Sequence, residues 1–211
     1  MDIAVNLVES YLRVNGYLTL TEVDVQRRGP DGRYASVTDV DVVAVRYPGD
    51  LYAVDPHVDP DSRLMLIADP GLLLADRMVD VIIGEVKQGS ARLNPAITTH
   101  EVLHQILRRL DWIYERGVDE IVATLQKGDV SESPGRSGAV IRTRLVAFGG
   151  RSGEPTLNTV PLGHVLSQMI RFIEHFEDVI RPSQFGDPAP ALLHLLVKCG
   201  YTIIERPHIE P

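Results

Sequence analysis

Cysteine occurs once, at Cys199, so no internal disulfide can form, and a reducing compartment is expected. Lysine is almost as scarce: of 21 basic residues, only Lys87, Lys127 and Lys198 are lysines and the rest are arginine. No apolar stretch approaches the length of a bilayer span, so no transmembrane helix is expected. The first residues, MDIAVNLVES, lack the basic start and small-residue cleavage site of a secretory signal. Cytoplasmic localisation is the expectation. Basic residues are also outnumbered, 21 to 29, for a net charge of −8 and a pI near 5.3. That excludes a protein whose whole surface attracts polyanions; any contact with phosphates must be a local patch on an acidic body.

What remains is ordinary globular material. The 211 residues are 44% hydrophobic and 24% charged, enough to bury a core without metal or disulfide staples. Residues 2–15 carry Ala4, Leu7, Val8, Tyr11 and Leu12 on one helical face, with Asn15-Gly16 as a stop. Residues 17–26 and 37–47 read as strands separated by the turn RRGPDGRY. Residues 50–60 are a Pro- and Asp-rich loop, and 63–76 are ambiguous between a short strand and a helical turn. Residues 79–88 read as a strong strand. Residues 98–116 form the clearest helix, with a Thr cap and Val102, Leu103, Ile106, Leu107, Leu110 and Ile113 as its stripe. Strands are expected at 120–125 and 139–148, and helices at 165–180 and 191–198. A Pro-rich linker spans 182–190, and 201–205 is a candidate edge strand. Consecutive strands that then flank a helix predict a mixed α/β fold, a mixed central sheet with helices packed on it.

The chemistry-bearing residues gather at strand ends. Asp39 and Asp41 lie two apart on the second strand, which predicts that both share one face with Val43 and Val45. Glu85 and Lys87 likewise share a face, at the end of the strongest strand. Charges on central strands are costly unless paired or metal-bound. Two carboxylates and an ammonium would suit Mg²⁺ or Mn²⁺, with positions left for water and a phosphate. Glu9 on the first helix could add a carboxylate. An acid two residues before a lysine arises by chance about 0.4 times in a chain of this composition, so it is the context that carries weight. The purely structural reading is a salt bridge, with Lys87 neutralising Glu85 or Asp41 at a solvated strand end.

The order helix, strand, Asp-bearing strand, strand ending in Glu-x-Lys, helix, strand resembles the core of the PD-(D/E)XK nuclease superfamily. Its residues here are Asp41 in TDVDVVAVR, and Glu85 and Lys87 in GEVKQG. The resemblance implies a restriction-endonuclease-like α/β core over residues 1–150, with 151–211 as a C-terminal helical extension packed on it. It implies a divalent-metal-dependent nuclease hydrolysing phosphodiester bonds in DNA or RNA. Asp41 and Glu85 would hold Mg²⁺ or Mn²⁺ with the Val86 carbonyl, Lys87 would be catalytic, and Glu9 would match the helix glutamate of some members. Val40 stands where the pattern often has proline, and the loop between the acidic strands is long enough for an inserted hairpin or lid. Nucleic acid is the implied partner, with a protein partner or homodimer possible and no membrane. A non-catalytic interaction domain on the same fold is one alternative, and a zinc metallohydrolase using the HEVLH helix is the other.

HEVLH, from His100 to His104, is a second constellation. Histidines four apart on a helix face the same way and could bind Zn²⁺, with Glu101 as general base. The string is expected by chance only about 0.013 times. Leu107 and Leu110 stand where further ligand spacing would need Gly and His, leaving Glu115 or Glu120 as the third ligand. The bland reading places both histidines at the margin of an amphipathic helix over the sheet. Arg108-Arg109, Arg142 and Arg144 are either a phosphate-facing patch or ion-pair partners. Cys199 is expected to be buried and inert, and Trp112 and Tyr114 to sit in the core or an interface.

Overall fold

A computed structural model describes residues 2–49, 68–176 and 187–204. Helix α1 (Ile3–Val14) is capped by Asp2, whose side chain accepts the Ala4 N–H at 2.7 Å. It closes at Asn15, and Gly16 takes φ 85°. Strands β1 (Leu18–Arg28) and β2 (Tyr34–Arg46) form a long antiparallel hairpin, and β3 (Met78–Lys87) continues the meander on the other side of β2. Helices α2 (His100–Arg108) and α3 (Asp119–Leu125) cross back to β4 (Ser131–Pro134) and β5 (Val140–Gly149). Strand β5 lies parallel to β3, with β4 antiparallel at its far edge. The chain then adds β6 (Thr159–Val160), parallel to β5, and helices α4 (Leu162–His175) and α5 (Pro188–Lys198). The result is a mixed six-stranded sheet in the order β1-β2-β3-β5-β4, with β6 also on β5 and five helices among the described residues.

The sheet separates two apolar layers. Val81 and Ile83 of β3 join Leu103, Ile106 and Leu107 of α2 and Ile121, Val122 and Leu125 of α3. On the other face, Ile82 and Val86 join Val8, Tyr11 and Leu12 of α1, with Val165, Met169 and Phe172 of α4 and Leu193 of α5. Strand β3 is covered on both sides, which is why it reads as an unbroken apolar run. Residues beyond 150 supply β6 to the sheet and α4 to the same core as α1.

Several elements differ from the expectation. Residues 120–125 form a helix, not a strand: Ile121, Val122 and Leu125 are buried at helical spacing. The helix expected over 98–116 stops at Arg108, and a 3₁₀ turn at Asp111–Ile113 lets Tyr114 bridge to Gly135. Thr99 is its N-cap residue, but the hydroxyl bonds back to the Ala96 carbonyl and caps nothing. Residues 201–204 are not a strand, and Cys199 is exposed where burial was expected. Pro188 opens α5, so the end of the supposed linker is its first turn. A 3₁₀ turn occupies Pro70–Leu72, in the part of the ambiguous stretch that could be a helical turn; residues 63–67, where a strand is the other option, and the loop at 50–60 lie outside the described residues. Trp112 is 64% exposed, whereas Tyr114 is buried.

Candidate active site

The site forms where two strands part. The β2–β3 ladder runs from Arg46–Asp80 to Val42–Gly84 and ends there. One step further, Asp41 Oδ2 replaces the backbone carbonyl as acceptor and takes the Val86 N–H at 2.7 Å. Glu85 is buried and forms a close ion pair with Lys87, whose side chain is about half exposed. The structure thus brings Asp41, Glu85, Val86 and Lys87 together. Just before the cluster, Gly84 lets β3 pack closely between its neighbours: a Cβ there would lie 2.6 Å from Val42 Cγ1 and 3.0 Å from Phe148 Cε2.

Asp39 departs from the expected geometry. Val40, not Asp39, packs in the layer that holds Val43 and Val45. The alternation slips at Asp41, between the Thr21–Val42 and Val23–Val40 pairs, where Glu22 takes φ 52° in the left-handed region. Asp39 is therefore exposed, although its charge still reaches Asp41, Glu85 and Lys87. Glu9 is not part of the cluster. It is buried with Arg13 at 2.6 Å and the Thr19 hydroxyl at 3.1 Å, and Arg13 goes on to Asp187 before α5. Its work is to tie α1 to β1 and α5. Asp2, which the sequence did not single out, is a nearer carboxylate: its charge acts on Asp41, and Gln88 Nε2 lies 3.3 Å from its Oδ1. The cap position that places Asp2 there was the available signal.

Electrostatics follow from this crowding. Burial pushes the Asp41 carboxyl above its ordinary value, against the Val86 hydrogen bond and the Lys87 charge, with Asp39 and Asp2 adding to the rise. Burial likewise raises Glu85, and the charges of Asp41 and Asp39 raise it further. The hydrogen bond to Glu85 pushes the Lys87 ammonium up. Asp41 Oδ1 and Glu85 Oε2 are left without hydrogen-bond partners among the described residues, and neither is sealed from solvent. Among the described residues no three His, Cys, Asp or Glu side chains converge as a metal cage. Mg²⁺ does not need one, because it keeps most of its waters and takes one or two carboxylates. Two mutually repelling carboxylates, each with a free oxygen, fit that requirement.

HEVLH is arranged differently. The rings of His100 and His104 stack at 5.5 Å on the surface of α2, while Leu103 and Leu107 face the core. Glu101 is held by Arg27 of β1. The acid beside His104 is Asp119, at 3.5 Å, not Glu115 or Glu120.

Arg142 and Arg144 are buried ion-pair partners and not a phosphate-facing patch. Arg142 Nε lies 2.5 Å and Arg144 Nη2 2.9 Å from the two oxygens of Asp80, at the opposite end of β3 from Lys87. Tyr17 donates to Asp80 at 2.5 Å, and Arg144 also bonds the Leu72 and Leu157 carbonyls.

A cleft of about 480 Å³ opens from Lys87 along residues 88–95. It places Gln88, Ser90, Arg92 and Asn94 on the same opening as Lys87. No family model matches this chain, and neither the curated proteins nor the solved structures contain a match.

Proposed function

We propose that this chain is a divalent-metal-dependent nuclease with a restriction-endonuclease-like core, hydrolysing phosphodiester bonds in nucleic acid. The observation that carries the reading is the meeting of Asp41, Glu85 and Lys87 where the β2–β3 ladder opens, with Lys87 also lining the cleft. The element order and the antiparallel β1-β2-β3 meander with β5 parallel to β3 support the core assignment.

Asp41 and Glu85 would hold Mg²⁺ or Mn²⁺, with the Val86 carbonyl as a further oxygen. A bound divalent ion supplies activation of water and stabilisation of charge on the phosphate. Asp41 is oriented for this by the Val86 N–H. With such an ion on Glu85, Lys87 would be free to move off that carboxylate, and its ammonium would orient the attacking water or offset charge on the phosphate. The exposure of Lys87 gives it room for that movement.

The test is cleavage of a panel of DNA and RNA in Mg²⁺ or Mn²⁺ by wild type and Lys87→Ala. Metal-dependent cutting that vanishes in the variant supports the reading. Equal cutting by both proteins overturns the residue assignment. A folded wild type that cuts nothing favours the second reading, a non-catalytic interaction domain, for which the existing Glu85–Lys87 ion pair is the specific observation.

A further inference from the structure

Charge is the difficulty at this site. Four carboxylates, Asp2, Asp39, Asp41 and Glu85, act on one another or on Lys87. Even with a divalent ion on Asp41 and Glu85 and the ammonium of Lys87, the four carboxylates leave the site negative. A strand of nucleic acid approaching it meets that charge unless a further cation outside the cluster holds it, since screening acts only beyond a Debye length of about 8 Å.

Arg92 answers that need. It is exposed in the cleft beyond Lys87, and among the described residues its guanidinium has no hydrogen-bond or ion-pair partner. Arg13, Arg27, Arg33, Arg142 and Arg144 are each paired to a carboxylate, and Arg108 and Arg109, exposed at the end of α2, do not line the cleft. The segment that carries Arg92 is held on both sides. The Gly150 N–H donates to the Gly89 carbonyl at 2.5 Å, and Gly149 lies so close to Ala91 that a Cβ would sit 2.8 Å from its Cα. Downstream, Leu93 packs on the core, the Ile97 N–H donates to the Asn94 carbonyl at 3.0 Å, and Asn94 Nδ2 reaches Thr38 at 3.4 Å. Binding a ligand therefore orders one side chain and not a loop. A guanidinium presents a planar fork of donors that matches phosphate oxygens two at a time.

We infer that the cleft holds a phosphate of the nucleic-acid strand next to the one that is cut, and that Arg92 is the residue that binds it. This rests on the nuclease reading of the neighbouring carboxylates. Ser90 and Asn94 line the same cleft and offer further polar groups to the bound nucleotide.

The experiment measures binding of a fluorescein-labelled 12-nucleotide single strand, and of its duplex, over a range of salt concentrations with Ca²⁺ in place of Mg²⁺. Wild type, Arg92→Ala, Arg92→Lys and Lys87→Ala are compared. Arg92→Ala is expected to bind about tenfold more weakly, and its log K against log salt to be shallower by about 0.7 for the single strand or about 0.9 for the duplex. Arg92→Lys should recover part of that slope, which a merely structural role would not produce. In Mg²⁺ or Mn²⁺ the loss in Arg92→Ala should fall chiefly on KM, whereas Lys87→Ala loses kcat. Unchanged affinity and slope in Arg92→Ala would overturn the inference. So would a wild type that binds neither probe. A wild type that binds without cutting removes the nuclease reading, while the slopes still decide the role of Arg92.

Discussion

The Val86 N–H donates to Asp41 Oδ2 at 2.7 Å, one step past the last β2–β3 backbone pair. A side chain supplies the acceptor just past the end of the ladder, and this orients the carboxylate. The same arrangement half buries Asp41 beside Glu85, so both carboxyls sit above their ordinary range.

Replacing Asp41 by Asn should therefore stabilise the fold and abolish cleavage. A carboxyl whose folded pKa is raised disfavours the native state once pH climbs above its unfolded value of about 4. Asn removes that charge, so melting temperature at pH 7 should rise by about 1–3 °C. The gain should shrink as pH falls through the raised carboxyl value, where wild type becomes protonated. Thermal melts at several pH values check this; a lower melting temperature for the variant at pH 7 would contradict the electrostatic account.

Mg²⁺ or Mn²⁺ should raise the melting temperature of wild type. An ion present at a hundred times its Kd stabilises by about 2.7 kcal/mol, roughly 5–10 °C for a chain of this size. The shift should disappear in Asp41→Asn and reverse with EDTA. An equal shift in the variant would place the ion elsewhere.

Asp80→Asn should be among the most damaging single changes. It leaves two buried guanidinium groups, Arg142 and Arg144, without their carboxylate. Breaking such a buried pair costs about 3–5 kcal/mol. Burial opposes ionisation of Asp80, but the charge and hydrogen bonds of Arg144, with the hydrogen bonds of Arg142 and Tyr17, hold its carboxyl below the usual range. Its contribution is fully present above about pH 4 and is lost as pH falls through the depressed value. Urea denaturation should show the largest gap between variant and wild type near neutrality, and a closing gap in strong acid.

Gly149→Ala should disturb the cleft from behind. Its Cβ would lie 2.8 Å from Ala91 Cα and 3.0 Å from the Lys87 carbonyl oxygen, backbone atoms that cannot rotate away. A cost of about 1–3 kcal/mol is expected, together with weaker binding of the labelled strand. Wild-type stability and affinity in this variant would show that the segment from 88 to 95 yields freely.

Much of the candidate site was legible because charge at the end of an apolar strand is rare and costly. Asp41, Glu85 and Lys87 stood out for that reason, and the structure brings them together. Glu9 was misplaced because helical spacing gives its face but not its neighbours; Arg13 and Thr19 occupy it. Asp39 was misplaced because strict alternation does not foresee the slip opposite Glu22. Residues 120–125 combine Ile, Val and Thr, which favour strands, with an apolar spacing that suits a helix, and packing on the sheet decided for the helix.

Local spacing of apolar residues was enough to specify α1, the three meander strands and the α2 stripe, since each buries a face that its own residues define. Pairings between distant segments were beyond it. Asp80 with Arg142 and Arg144, and Gly149 against Ala91, exist only because β3 and β5 lie parallel and in register. Register between strands more than 50 residues apart depends on how whole layers pack, and no local pattern encodes that.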